Sequence, residues 1–419
     1  MKRGFIAVIV IVMVIIGIIW AGAFVWDNIK GALPALLSPS QDIAELLDRS
    51  TPIVQDGIAP LQSNPPQEII GSPLALLPGF SISIFAKNLS GARVMAFDLF
   101  GNLWVSQTKE GTISLLEVNG NRVISADAVF ENLRNPHGLA FDPEDPSLLY
   151  FAEENKVSRV RVYSDGEPET LVSLPSNEGH FTRTLGFGPD GRLYVSIGSS
   201  CNVCNESDPR RAAIYSMRKD GSDFKLFAEG LRNAVFFTWH PATTELWVTE
   251  MGRDLLGDNL PPDEINIVKE GRHYGWPFCY GKNVQDLRFD SSINAKQICE
   301  GASPAHLEIP AHSAPLGFVF IPNNIGWPQE YWRNLLVAYH GSWNRNVPTG
   351  YKIVRFKLDK DGSYVGGTTE AEDFVTGWFT LGEVLGRPVA MIFGPDGALY
   401  VSDDKAGVIY RIVHAGQRE

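Results

Sequence analysis

FGPDGRLYVS, residues 187–196, reads as the end of one strand, a tight turn and a second strand, and it recurs nearly intact as FGPDGALYVS at 393–402. Asp and Gly tolerate the positive φ of a hairpin turn, and the flanking apolar alternation has the period of two of a half-buried strand. Working outward, FDLFGNLWVS at 97–106 is a third copy. Looser copies run from Phe141-Asp142-Pro143 to Leu149-Tyr150-Phe151 and from Trp239-His240-Pro241 to Leu246-Trp247-Val248. A weaker sixth runs from Gly317-Phe318-Val319-Phe320 to Asn334–Tyr339. From Phe97 to Phe141, Phe187 and Trp239 the steps are 44, 46 and 52 residues, the length of one four-stranded blade. Six copies predict an all-β fold, a six-bladed β-propeller over residues 76–415. A β-sandwich is the rival, but it does not generate self-similarity at so long a period. The step from 239 to 318 is too long for one blade and predicts an insertion holding Cys279 and Cys299.

The N-terminus differs in kind. Lys2 and Arg3 precede 23 uncharged, mostly apolar residues, Gly4 to Trp26, enough for a hydrocarbon core that takes about 20. Residues 1–26 are therefore expected to be an N-terminal transmembrane helix with a cytoplasmic start and an extracytoplasmic body, membrane-anchored in a periplasmic or cell-surface location. A cleaved signal peptide is the rival reading: Ala21-Gly22-Ala23 has the form of a cleavage site, but the apolar run exceeds the usual core of about 7–15 residues. Residues 27–75, with several prolines and a possible helix over Gln41–Arg49, are expected to be a linker. The net charge of -12 argues against a nucleic-acid partner, whose footprint is basic.

Four cysteines, Cys201, Cys204, Cys279 and Cys299, allow three pairings in an oxidising compartment. Cys201 with Cys204 and Cys279 with Cys299 are the local choices. No second CxxC or HxxxH completes a zinc site around Cys201-Asn202-Val203-Cys204. Asn205 stands where haem attachment needs a histidine.

In a propeller, equal phase in successive blades means convergence on one mouth of the channel. Ahead of the inner strands stand His137, then His180 and Arg183, then Arg232 and Asn233, then His312 and the run His340-Gly341-Ser342-Trp343-Asn344-Arg345, then Arg387. Any one of these is more often a structural group than a ligand, but the recurrence is not a property of single loops. Several arginines suit a ligand rich in carboxylates, and a histidine suits proton abstraction from an alcohol. The turn at Gly252 and the acidic Asp258, Asp263 and Glu264 suit a hard cation such as calcium. No glycine pattern for a nucleotide stands between a strand and a helix.

Over roughly residues 78–413 the chain resembles the soluble quinoprotein sugar dehydrogenases, the glucose, aldose-sugar and sorbosone dehydrogenases that use pyrroloquinoline quinone (PQQ). The resemblance rests on GHFTRTLGFGPDGRLYVSIG at 179–198, GLRN at 230–233 and DEINIVKEGRHYGWP at 263–277. It implies a six-bladed propeller and hydride transfer from a reducing sugar or an aldehyde hydrate to PQQ, with His180 as base and Arg232 stabilising developing charge. Arg232, Asn233 and Arg387 are implied cofactor contacts, and His137 joins them by phase. The family's cofactor lysine has no counterpart, and His340 or Arg345 is expected in its place. Calcium is implied at the main-chain carbonyls of Gly252 and Arg253, with Asp263 nearby. The family often has Asp just before the base, where this chain has Gly179. The electron acceptor is not implied. Two other readings share the fold: a calcium-dependent lactonase, and a non-catalytic propeller that binds a protein or glycan.

Overall fold

The computed structural model describes residues 2–29, 33–49, 67–68, 72–359, 361–364 and 371–416. Among them, six antiparallel sheets follow one another along the chain as blades. The first orders Ala92–Phe97, Leu103–Gln107, Thr112–Asn119 and Arg122–Phe130 from its inner to its outer strand. The inner strands of the next four blades are Leu139–Phe141, Leu185–Phe187, Ala234–Trp239 and Pro315–Phe320. Pro388–Phe393 begins the sixth. The predicted six-bladed propeller is therefore the fold. The turns of the motif are as expected, with Gly101, Gly191 and Gly397 all at positive φ.

Closure of the ring is a feature the repeat did not reveal. The outer strand of the sixth blade is Phe80–Ala86, paired antiparallel with Val408–His414. Phe80 packs edge-on against Trp327, Phe374, Tyr331 and His414, with centroids 4.7–5.1 Å away. Phe80→Ala should cost roughly 3–5 kcal/mol, the usual penalty for emptying a large aromatic site in a core. A denaturant titration of the purified chain would read this, and a change near zero would show that the seam does not hold the ring.

The predicted insertion lies inside the fourth blade, between Asp263–Val268 and the outer strand Leu307–Ile309. It carries a helix, Ile293–Gly301, capped by the side chain of Ser292, and is stapled by Cys279–Cys299. Cys201–Cys204 is the other disulfide.

The last serine of the repeated motif does a particular job. Ser106 donates to the carbonyl of His137 (2.8 Å) and Ser402 to that of Arg93. Thr249 does the same for Leu316 (2.7 Å). A hydroxyl at the end of one blade's second strand thus pins the start of a neighbouring blade's inner strand, which is how the motif holds the mouth together.

N-terminal to the propeller, the apolar run forms one helix, Lys2–Ile29. The expected transmembrane helix is nevertheless not supported: among the described residues, no helix is long and apolar enough to cross a membrane. Of the expected linker, residues 30–32, 50–66 and 69–71 lie outside the described residues. Its helical part is docked. Ile43–Arg49 is a helix whose Ile43, Ala44 and Leu47 join the apolar core of the last two blades.

Candidate active site

The inner-strand starts converge as the phase argument requires. Ser199 N–H donates to the Arg232 carbonyl (2.8 Å), and Gly138 N–H to the Arg183 carbonyl (2.9 Å), each bond joining two blades. Two clusters result.

The first lies on the third and fourth blades. His180 is half-buried. Its Nδ1 sits 3.1 Å from the Ser199 carbonyl and 3.0 Å from the Ser199 hydroxyl. Burial, then the charge of Arg232, lowers its pKa to about 3, so the ring is neutral through the physiological range. His180 and Asn233 both crowd Gly198: a Cβ there would stand 2.6 Å from His180 Cβ and 2.8 Å from Asn233 Oδ1. Asn233 is buried and its N–H donates to Glu250, a carboxyl that burial and then Glu264 push well up.

Gly179 is explained by the same loop. Its φ is +60°, and a Cβ on it would lie 2.3 Å from the Ser199 carbonyl oxygen. No aspartate fits there, and the Ser199 carbonyl orients the imidazole instead. Gly179→Ala should therefore displace the 199–200 backbone and lower any His180-dependent turnover ~100-fold, the typical penalty for a misplacement of about 1 Å. Steady-state kinetics on folded variant would test this, and unchanged turnover would show that the loop can yield.

Arg232 is buried with its donors occupied. Nε donates to the Asn202 carbonyl (2.9 Å) and Nη2 to Asn202 Oδ1 (2.9 Å) and Asp254 (3.3 Å). Nη1 donates to the carbonyls of Gly252 (2.9 Å) and Met251 (3.3 Å). Asp254 also accepts from Asn344 (2.6 Å), which brings the HGSWNR run onto this cluster.

The second cluster joins the fifth, sixth, first and second blades. Asp404 accepts from His340 Nε2 (2.8 Å) and Arg93 Nη1 (2.7 Å). Burial would raise this carboxyl, but His340 and Arg93 hold it well below the usual range. Arg387 donates to the carbonyls of His340 (3.0 Å) and Gly341 (2.5 Å). His137 is fully buried beside Arg93 and Thr184, and burial followed by Arg93 drives its pKa well down. Two buried atoms have no partner here, Arg93 Nε and His137 Nε2.

Arg93 and Asp404 were missed from sequence. Arg93 stands at the common phase, ahead of the first motif copy, so the recurrence itself could have found it. Asp404 follows the last motif strand and had no such signal.

Other expected residues are placed differently. Arg345 reaches the Ala311 carbonyl and Asn259 (both 3.2 Å), away from the arginine–histidine clusters. Arg253 pairs with Asp286 (2.7 Å). Asp263 is buried, and its two oxygens accept the N–H groups of Gly252 and Ala314 (both 2.9 Å), which clasps the 252 turn to the fifth blade. Burial raises its pKa to about 7.

The two expected ligands fare unequally against these residues. An anion with several carboxylates fits: Arg93 and Arg387 supply guanidinium groups, Arg232 adds positive charge although its own donors are engaged within the protein, and buried Arg93 Nε and His137 Nε2 are unpartnered. Of the two carbonyls expected to hold calcium, that of Gly252 also accepts from Arg232 and so would be shared with the guanidinium, and the nearby Asp263 oxygens accept backbone N–H groups. Among the described residues, the one group of side chains spaced like metal ligands is Cys201, Cys204 and Glu206, and its sulfurs form a disulfide.

Residues 74–415 match the TrAA12-like family model. An uncharacterised protein of Borreliella burgdorferi is 32% identical, over 83% of this chain and 92% of its own length. The pyrroloquinoline quinone-dependent pyranose dehydrogenase of Coprinopsis cinerea is 25% identical over 80% of this chain, and the match spans only 54% of that protein. The holo PQQ domain of a C. cinerea pyranose dehydrogenase has the same fold, with a TM-score of 0.68 and 24% identity over 81% of this chain and 96% of that one. A calcium structure of a Trichoderma reesei family AA12 protein gives 0.70 and 22%, over 84% and 98%.

Proposed function

We propose, from the premise that the chain belongs to the TrAA12-like family, that it is a quinoprotein oxidoreductase that oxidises a reducing sugar or sugar aldehyde. The observation that carries this is the pairing, on one mouth, of a neutral histidine with a free ring nitrogen and a basic cluster suited to a polycarboxylate. The PQQ dependence of the C. cinerea relative supports the same reading. Bound PQQ supplies the two-electron acceptor for the hydride of the sugar C–H bond.

The remaining chemistry belongs to the chain. Arg93 and Arg387, with Asn233, His137 and His340, would hold the cofactor, its carboxylates answering guanidinium charge, and Arg232 would contribute its charge alone, its donors being engaged within the protein. With Nδ1–H given to the Ser199 carbonyl, His180 Nε2 is the lone pair that takes the proton of the sugar hydroxyl. Arg232, 5% exposed, is a preorganised positive charge beside that base, and in a dry site it stabilises developing negative charge without reorganising. No step is assigned to calcium.

An extracytoplasmic location belongs to the same reading, supported by two disulfides, which persist in oxidising compartments. The test of function is direct. The purified full chain is titrated with PQQ by tryptophan fluorescence, then given a panel of sugars and an artificial dye. Micromolar binding with sugar-dependent dye reduction is expected. Absence of binding, with or without added calcium, would overturn the proposal.

A further inference from the structure

The CNVC loop at 201–204 lies against both halves of the first cluster, and its contacts form a chain of hydrogen bonds. The Ser199 hydroxyl donates to the carbonyl of Cys201 (2.7 Å). That same hydroxyl is 3.0 Å from His180 Nδ1. A hydroxyl has one hydrogen, and this one is spent on Cys201. It can therefore only accept from Nδ1, as the Ser199 carbonyl does at 3.1 Å. Both neighbours of Nδ1 are acceptors, so the ring hydrogen must sit on Nδ1 and the lone pair on Nε2.

The loop that presents the Cys201 carbonyl is held from three sides. Cys201–Cys204 closes it. Asn202 is tied through both its oxygens to Arg232, and through its amide to the Asp254 carbonyl (3.1 Å). Glu206 accepts from the N–H and hydroxyl of Ser200 (2.7 and 2.6 Å).

We propose that the Cys201–Cys204 loop is a positioning element that fixes the tautomer of His180, by taking the Ser199 hydrogen onto the Cys201 carbonyl. If the loop opens, the Ser199 hydroxyl is free to donate to Nδ1. The ring can then carry its hydrogen on Nε2, where it cannot accept a proton. The base role of Nε2 rests on the function proposed above, whereas the tautomer itself does not.

The test uses 15N-histidine spectra of the full chain without cofactor, which distinguish a protonated from an unprotonated ring nitrogen. Wild-type protein should show His180 with its hydrogen on Nδ1. The pair Cys201→Ser and Cys204→Ser should show a mixture of tautomers. Adding Ser199→Ala to that pair removes the competing hydroxyl and should restore the Nδ1–H form. A serine pair with the wild-type spectrum, or a triple variant that fails to restore it, would overturn the proposal. If the serine pair does not fold, the bridge of folded wild-type protein is opened with a phosphine. The phosphine becomes its oxide while water supplies the oxygen and the two thiol hydrogens, and the same mixture is expected. A second arm measures sugar-dependent dye reduction with PQQ. The serine pair should lose roughly 10–100-fold, the usual cost of removing an outer-shell partner, and the triple variant should recover part of it. Wild-type protein inert toward every sugar would sink the sugar-oxidation reading, while the nitrogen spectra would still decide the tautomer.

Discussion

His180→Ala is expected to lower kcat for sugar oxidation by roughly 10²–10⁴-fold, the range for loss of a positioned general base, while PQQ binds within a few-fold of wild type. The separation follows from the geometry. The ring touches Ser199 and stands beside Gly198 and Asn233, whereas the guanidinium groups that would seat the cofactor are held by Asp404 and by the carbonyls of His340 and Gly341. Turnover that survives the substitution would remove His180 from the chemistry. A pH profile adds an independent check. The pKa is lowered to about 3 by burial and then by Arg232, so the base stays unprotonated well below neutrality. In protein without cofactor, the His180 resonances should show no titration from pH 8 to pH 5. The stability linkage has a definite sign. The unfolded ring titrates at its ordinary value of 6.5, so this contribution is complete above that value and is lost as pH falls towards about 3. Asp263, raised to about 7 by burial, acts oppositely: its contribution is complete below 3.8 and is lost as pH rises through about 7.

Arg232→Met is expected to damage fold and site together. The substitution strands the carbonyls of Asn202, Met251 and Gly252 and leaves Asp254 without its guanidinium. Asp254 is only partly buried, so losing these bonds costs roughly 1.5–3 kcal/mol, the range for hydrogen bonds to a charged group, read as a lower denaturation midpoint. PQQ affinity should fall about 10-fold through loss of the positive charge and displacement of the 202 and 252 turns, since one charge-assisted interaction is worth about 1.5 kcal/mol at its lower end. Arg232→Lys keeps the charge but not the planar fork that spans Asn202, Gly252 and Asp254, so it should recover binding more than stability. Equal midpoints for wild type and Arg232→Met would mean that the 202 and 252 turns stand without it.

The sequence by itself determined the architecture. Copies of FGPDGRLYVS at blade-length spacing carry both the hairpin turn and the strand alternation, and self-similarity of that kind has few other solutions. It also determined which positions share a mouth, because phase in a repeat becomes position around an axis. The phase put His180, Arg232, Asn233 and Arg387 ahead of inner strands, and that is where the strands at 185, 234 and 388 leave them. Closure was not: Phe80–Ala86 pairs with Val408–His414 across almost the whole chain, and no local pattern marks that partnership. The fate of individual polar groups was decided only in three dimensions. Gly252 and Asp263 have the residue types of a calcium turn, yet the Gly252 carbonyl faces Arg232 and the Asp263 carboxylate clasps two backbone N–H groups. Arg345 shares a run with His340 but turns to Asn259. The orienting group for His180 is a backbone carbonyl, which every residue possesses and no sequence can single out. A hydrogen-bond partner is fixed by which loops meet, and that is settled by the packing of neighbouring blades rather than by the identity of either residue alone.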